Sequence, residues 1–347
     1  MNVARLFFMI SGEHESLPVS EIKAILETEG CKYEILEKLD QVLRLEANPT
    51  SLEAIKCKAA FTRVCALEIF NCKAETTSIT RAMRSTGFDI FLRENESFVV
   101  RVKHVKSFAS EINGMVLERQ LGEIILNNTA KASVNLKHPD KTFIGILTSE
   151  KFVFGVKLAE IPAKPFVDRR PRRKPFFHPS AMQAKLARCM VNLARPRRGD
   201  LVLDPFCGTG GMLIEAAITG CRVLGLDIQC RMVRGTRRNL DHFKLEPEGL
   251  VVADARSLPL IRVDCVVTDP PYGRSTITFK RTTGQIVEEM LKAVYQLLGN
   301  GQRICMAAPK TLNVANIAIG LGYRHLESHF VYVHRTLTRE IVVFEKV

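Results

Sequence analysis

Asp204-Pro205-Phe206-Cys207-Gly208-Thr209-Gly210-Gly211 directly follows the apolar triplet Leu201-Val202-Leu203. The triplet has the composition of a buried strand. The glycines permit a tight turn with close backbone approach to a ligand, and Gly211 to Thr219 has the spacing of a helix. Strand, glycine turn and helix in that order form the opening unit of a parallel α/β sheet, whose ligands bind beyond the carboxyl ends of its strands. The turn lacks the GxGxxG of a dinucleotide site, because Leu213 stands where the third glycine would be. Asp204 beside the cradle also disfavours a pyrophosphate and suits a zwitterionic or cationic ligand.

Outward from this turn, strand-like runs at Arg222 to Leu226, Gly249 to Val252, Asp264 to Thr268 and Arg303 to Ala307 alternate with helical patterns. These patterns cover Gln229 to Phe243, Gln285 to Leu298 and Asn313 to Leu321. The alternation predicts a doubly wound sheet with helices on both faces. The runs His325 to Arg335 and Thr338 to Phe344 predict an antiparallel edge at its end. Two more acids end strands: Asp227, which can accept both hydroxyls of a ribose, and Asp254, which can face an adenine amino group.

The fourth strand ends in Asp269-Pro270-Pro271-Tyr272-Gly273. Neither proline can donate to a sheet ladder, so the strand stops with a stiff tip. An ionised Asp269 is acceptor-only, and the prolines fix the backbone carbonyl of Pro270. Together these are two preset acceptors at one strand tip, and Tyr272 beside them offers an aromatic face.

The first part of the 347-residue chain reads differently. Its strand and helix signals run β-α-β-β-α-β, the order of a ferredoxin-like unit: strands at Arg5 to Ile10, Tyr33 to Leu36, Val42 to Leu45 and Cys65 to Ile69, and helices at Pro18 to Glu29 and Leu52 to Ala60. A second mixed module adds helices at Thr76 to Ser85 and Glu111 to Leu121, and strands at Phe98 to Lys103, Thr142 to Leu147 and Phe152 to Lys157. Then comes Lys164 to Pro175, KPFVDRRPRRKP, with three prolines and six basic residues. Its composition predicts an extended, helix-free linker, either lying on phosphate or simply solvated.

Composition narrows the function classes. The chain carries 50 Lys+Arg against 37 Asp+Glu. Residues 1–160 hold 21 of each, so the remainder carries 29 against 16. Such an excess suits a polyanion partner, since Lys and Arg displace counterions condensed on phosphates, although solubility alone also accounts for it. Arg231, Arg234, Arg237 and Arg238 share one helix face, as an electropositive path or as a solvated surface. None of the ten cysteines forms a CxxC pair, which argues against a structural zinc site or disulfide framework. His325 and His329 lack a third nearby ligand, so no metal is expected. No run of about 18 apolar residues spans a bilayer and no signal peptide is evident, so a cytoplasmic protein without membrane contact is expected.

With these residues assembled, 176–347 resembles class I S-adenosylmethionine-dependent methyltransferases, and the DPPYG run matches the signature of those acting on amines. The stretch Val134-Asn135-Leu136-Lys137-His138-Pro139-Asp140, followed by a strand, a turn and Phe152-Val153-Phe154-Gly155-Val156-Lys157-Leu158, resembles a THUMP domain, which implies RNA binding. The whole chain, including Phe176-Phe177-His178-Pro179-Ser180, is similar to the archaeal-type tRNA guanosine-10 N2-methyltransferases. The resemblance implies an α/β architecture: a Rossmann-like class I methyltransferase domain (doubly wound sheet with antiparallel terminal strand) at 176–347, preceded by a ferredoxin-like domain (1–72), a THUMP domain (73–160) and the basic linker (161–175).

Carried over by position, Asp204, Phe206, Gly208, Thr209 and Gly210 match the S-adenosylmethionine loop. Asp227 and Ile228 match the ribose and adenine contacts, and Asp254 and Ala255 the adenine edge. His178 and Ser180 lie near the methionine end. Asp269, Pro270, Pro271 and Tyr272 match the catalytic tetrapeptide, Asp269 also bordering the cofactor. The resemblance implies tRNA as partner and one or two methyl transfers; a monomer is expected, with an activating protein partner left open. DNA adenine or cytosine amino-methylation shares DPPY but leaves the THUMP-like module unexplained, while amino-methylation of another RNA, such as rRNA guanine N2, is a further alternative. A non-catalytic RNA-binding protein is the remaining reading, and eroded motifs would mark it.

Overall fold

The computed structural model describes residues 3–129, 131–271 and 282–347. The first half of the chain forms β1 (Ala4–Ile10), α1 (Leu17–Thr28), β2 (Tyr33–Leu39), β3 (Val42–Ala47), α2 (Leu52–Lys58), β4 (Thr62–Lys73), α3 (Thr76–Arg84), β5 (Ser97–His104), α4 (Gly114–Asn127), β6 (Ser133–Val134), β7 (Lys141–Thr148) and β8 (Lys151–Glu160). The chain divides into two units, the first being Met1–Glu13, Cys31–Lys56 and Thr62–Pro162. Its eight strands make one sheet in the order β2-β3-β1-β4-β8-β7-β5-β6. The strands read as ferredoxin-like and those of the following module are therefore continuous, joined by the antiparallel β4–β8 pair.

Phenylalanines dominate the core of this unit. Phe143 stacks on Phe154 at 5.9 Å between ring centroids and meets Phe88 edge-on at 5.7 Å, under Leu117, Leu121 and Ile125 of α4. Helix α4 starts at Gly114 rather than at Glu111 because the Asn113 side chain accepts the Val116 N–H at 3.2 Å, capping the first turn. Gly155 of β8 is required by close approach: a Cβ there would sit 1.9 Å from the Leu67 carbonyl oxygen.

The second unit contains Ala163–Val347 together with His14–Gly30 and Cys57–Phe61. Its further elements are α5 (Lys164–Asp168), α6 (Ala184–Leu193), β9 (Leu201–Asp204), α7 (Gly211–Ile218), β10 (Arg222–Asp227), α8 (Cys230–His242), β11 (Gly249–Val252), β12 (Cys265–Thr268), α9 (Thr283–Leu297), β13 (Arg303–Pro309), α10 (Val314–Gly320), β14 (Tyr323–His334) and β15 (Leu337–Lys346). The seven-stranded sheet runs β11-β10-β9-β12-β13-β15-β14. β11 through β13 pair in parallel and β15 is antiparallel to both its neighbours. Strand order reverses between β9 and β12, which places the ligand crevice there.

Alternate residues of these strands feed opposite faces. Val202, Val223, Cys265, Val267 and Cys305 meet α6 and α7, while Leu203, Leu224, Val266, Ile304 and Met306 meet α9 and α10. Helix α1 also packs in the first of these clusters, burying Leu17 and Ala24 beside Ala60, Phe61 and the residues of α6. Between them Glu21 is fully buried. It accepts the backbone N–H groups of Ala60 (3.0 Å) and Phe61 (2.8 Å) and the Asn192 amide (2.9 Å), and burial pushes its carboxyl up to about 7.

One sequence expectation needs correction, and one helix went unread. The basic run is not extended: Lys164–Asp168 is helical, with Pro165 in the first turn where no N–H is needed, and Pro171–Arg173 is a 3₁₀ turn. Two of its six cations, Arg169 and Lys174, are drawn inward, while Lys164, Arg170, Arg172 and Arg173 stay exposed. Arg169 donates to Glu215 at 2.7 Å, Arg173 to Asp168 at 2.6 Å, and Lys174 is buried. Helix α6, absent from the sequence reading, is buried at every position except Lys185. Its Arg188 and Asn192 interrupt the apolar pattern, and both are held inside, Arg188 by Glu215 at 2.9 Å.

Candidate active site

The carboxyl ends of β9, β10 and β12 open onto a cavity of about 300 Å³. Its floor is the glycine turn. Cys207 N–H donates to the Leu226 carbonyl at 2.7 Å, docking the turn on β10. Gly208 and Gly210 adopt left-handed φ of 53° and 75°, and a Cβ on Gly210 would lie 2.9 Å from the Thr236 methyl. Gly210 shapes the turn without lining the cavity, whereas Gly208, Thr209 and Phe206 do line it. Helix α8 holds the turn from behind: Thr236 donates to the Gly208 carbonyl and Asn239 to the Thr209 carbonyl, each at 2.9 Å.

Asp204 is 2% exposed. Thr268 Oγ1 donates to its Oδ1 at 2.7 Å and Phe206 N–H at 3.1 Å. Burial, with lesser contributions from the negative charges of Asp269 and Asp227, pushes its carboxyl up to about 7. A buried acid in this state favours a ligand that brings positive charge. Asp227 is fixed by the N–H groups of Gly208 (3.1 Å) and Gln229 (2.9 Å), one on each oxygen. Each oxygen keeps a lone pair for a ligand hydroxyl, and burial raises this carboxyl too.

Asp254, just past β11, borders the same cavity with Ala255, but its carboxylate is gripped by Arg256 at 2.8 Å, which also reaches Glu289 at 3.4 Å. His178 Nδ1 and Ser180 Oγ, 2.8 Å apart, also line the cavity. Ile228, 41% exposed, presents an apolar edge. The cavity reaches Asp269, Pro270 and Pro271, where β12 ends. Tyr272 lies outside the described residues. The cavity therefore gathers four strand-end carboxylates, the glycine turn and the diproline tip.

The two histidines weighed as metal ligands are otherwise engaged. His329 contacts Ser16 Oγ at 2.8 Å and Glu327 at 3.2 Å, and His325 contacts Ser328 Oγ at 2.8 Å. Of the α8 arginines, Arg237 pairs with Asp241 and Glu246 and Arg231 lies over the Phe176 ring at 5.8 Å. No described helix is long and apolar enough to cross a membrane.

Residues 171–339 match the family described as RMKL-like, methyltransferase domain, and residues 73–156 match the THUMP domain. The tRNA (guanine(10)-N2)-dimethyltransferase of Methanothermobacter thermautotrophicus is 36% identical over 99% of both chains. The chain belongs to the tRNA (guanine(10)-N2)-dimethyltransferase family. The family's protein from Methanocaldococcus jannaschii is 32% identical, over 98% of this chain and 99% of its own. The crystal structure of TrmN from Thermus thermophilus shares the fold at a TM-score of 0.55 and 19% identity, covering 99% of this chain and all of that one.

Sequence reading missed a cation beside the strand end that carries the diproline. Arg339 of β15 lines the cavity with its guanidinium 3.6 Å from the Asp269 carboxylate, both side chains being largely buried. No local motif marks it, because its position depends on β15 inserting antiparallel beside β13. Thr268, Thr236 and Asn239 were also unmarked. They are polar residues at positions that their elements bury, which is the one signal a sequence offers.

Proposed function

We propose that this chain is a tRNA guanosine N2-methyltransferase acting at position 10, with S-adenosylmethionine as methyl donor and a dimethylated product. The observation that carries the reading is the convergence of Asp269-Pro270-Pro271 on the same cavity as Asp204, Asp227 and the glycine turn. When bound, S-adenosylmethionine supplies an electrophilic methyl group on a sulfonium.

The chain's residues suit that donor. Asp204 offers buried negative charge to an ammonium, Asp227 offers two backbone-held acceptors to the ribose hydroxyls, and Ile228 and Ala255 offer apolar surface to the adenine. Asp254 flanks the adenine edge, and His178 and Ser180 border the methionine end. Asp269 and the Pro270 carbonyl accept the N–H groups of the guanine amine, turning its lone pair outward. Both acceptors are preset by the strand end and the diproline, so little reorganisation precedes transfer. Guanine offers N1–H and N2–H donors on one edge to such acceptors, whereas adenine N1 and cytosine N3 oppose a carboxylate. After one transfer the nitrogen keeps an N–H for Asp269, which permits a second.

The supporting experiment incubates the purified chain with unmodified tRNA transcript and labelled S-adenosylmethionine, followed by nucleoside mass spectrometry and position mapping. N2-methylated and N2,N2-dimethylated guanosine at position 10, lost when that guanosine is replaced by adenosine, is the expected result. Label in another nucleoside, or only in DNA, overturns the substrate.

A further inference from the structure

The edge strand β14 ends in aromatic surface that the core does not use. Phe330 is 56% exposed and Tyr332 72%, while Val331 between them is buried. Residues two apart on a strand share a face, so the two rings stand side by side. Lys310, the first residue after β13, places its ammonium 5.0 Å from the Phe330 ring centroid, and the exposed His334 and Arg335 follow directly.

The location is specific. β15 is antiparallel to both β13 and β14, so β14 runs with the parallel strands and Phe330 to His334 lie at the carboxyl end where Asp269 sits. Val331 is opposite Arg339 in the ladder, and Arg339 contacts Asp269. Adjacent residues of a strand face opposite ways, so the two rings lie one strand beyond the guanidinium, at the same end of the sheet but on its other face.

We infer that Phe330 and Tyr332, flanked by Lys310 and Arg335, form a stacking platform for unpaired nucleotides next to the reacting guanosine. This rests on the tRNA-methyltransferase reading and adds where the substrate strand lies. A base must leave its helix to reach the cavity, and its neighbours then lose a stacking partner. Aromatic rings accept any base on their faces, and adjacent cations take the phosphates. An apolar protein partner would leave the cations unmatched, so charge complementarity selects RNA.

The test compares the intact chain with Phe330→Ala, Tyr332→Ala, the double variant, Tyr332→Phe and Lys310→Ala. Readouts are tRNA affinity by filter binding at several salt concentrations, KM for tRNA, and S-adenosylmethionine affinity. Each alanine variant at an aromatic position is expected to weaken tRNA binding by about 5-fold or more with cofactor affinity unmoved, while Tyr332→Phe restores binding. Lys310→Ala is expected to lower the slope of log affinity against log salt by about one. A double variant with the parent's tRNA affinity overturns the platform. So does sedimentation showing that the parent self-associates and the double variant does not, with tRNA affinity intact, since the rings would then bind a second copy. If the parent methylates no tRNA the broader reading fails by itself, and the binding comparison still decides the platform.

Discussion

Four carboxylates line one cavity in different surroundings, Asp254 among them gripped by Arg256. Asp204 is enclosed, Asp227 is held by two backbone amides, and Asp269 faces a guanidinium. With its pKa near 7, Asp204 is neutral below that pH and offers no charge to a cationic ligand. S-adenosylmethionine affinity measured by calorimetry is therefore expected to fall by up to about tenfold from pH 8 to pH 6. Asp204→Asn should bind weakly with no such slope, and a flat profile in the parent chain would remove the charge argument. Arg339 pairs with Asp269 at 3.6 Å; if it acts by positioning that carboxylate, Arg339→Ala is expected to lower kcat by about 10- to 100-fold. Its KM for S-adenosylmethionine should change little, and Arg339→Lys should recover part of the rate. That the acids and glycines meet in one cavity was legible because each falls at a strand end or in the turn after one. Arg339 was not, because only the register of β15 brings it there.

Among elements, the strands were legible since each is a short apolar run bounded by turn residues, and β9 to β13 follow that pattern. Helix α6 was not, because buried Arg188 and Asn192 imitate a solvated face. The basic run misled for the converse reason: six cations in twelve residues read as solvated, yet Arg169 and Lys174 are taken inside. Glu215 is the element that makes this possible, being 1% exposed and accepting from both Arg169 and Arg188. Removing one partner of a buried ion pair strands the others. Glu215→Ala is expected to destabilise the second unit by about 3–5 kcal/mol, read by urea unfolding; a change below about 1 kcal/mol would show that water reaches these cations.

On the scale of the whole chain, sequence order and compactness part company. Residues 14–30 precede the first sheet's second strand, yet they complete the hydrophobic cluster of the methyltransferase unit through Leu17, Ala24 and the Glu21–Asn192 hydrogen bond. A chain beginning at Ala163 would expose that surface. It is expected to melt about 10 °C or more below the same unit in the intact protein, followed by loss of S-adenosylmethionine binding on heating. An equally stable fragment would show that α1 is dispensable. The contacts that make α1 part of this unit depend on long-range packing, which no local pattern of Leu17–Thr28 records.

The most direct test of the central claim is single-turnover methyl transfer to tRNA by Asp269→Ala, with S-adenosylmethionine affinity measured on the same preparation. If Asp269 positions the guanine amine, transfer falls by about 100- to 1,000-fold while cofactor affinity stays close to that of the parent chain. Transfer at the parent's rate would contradict the account and place the amine-binding acceptors elsewhere in the cavity.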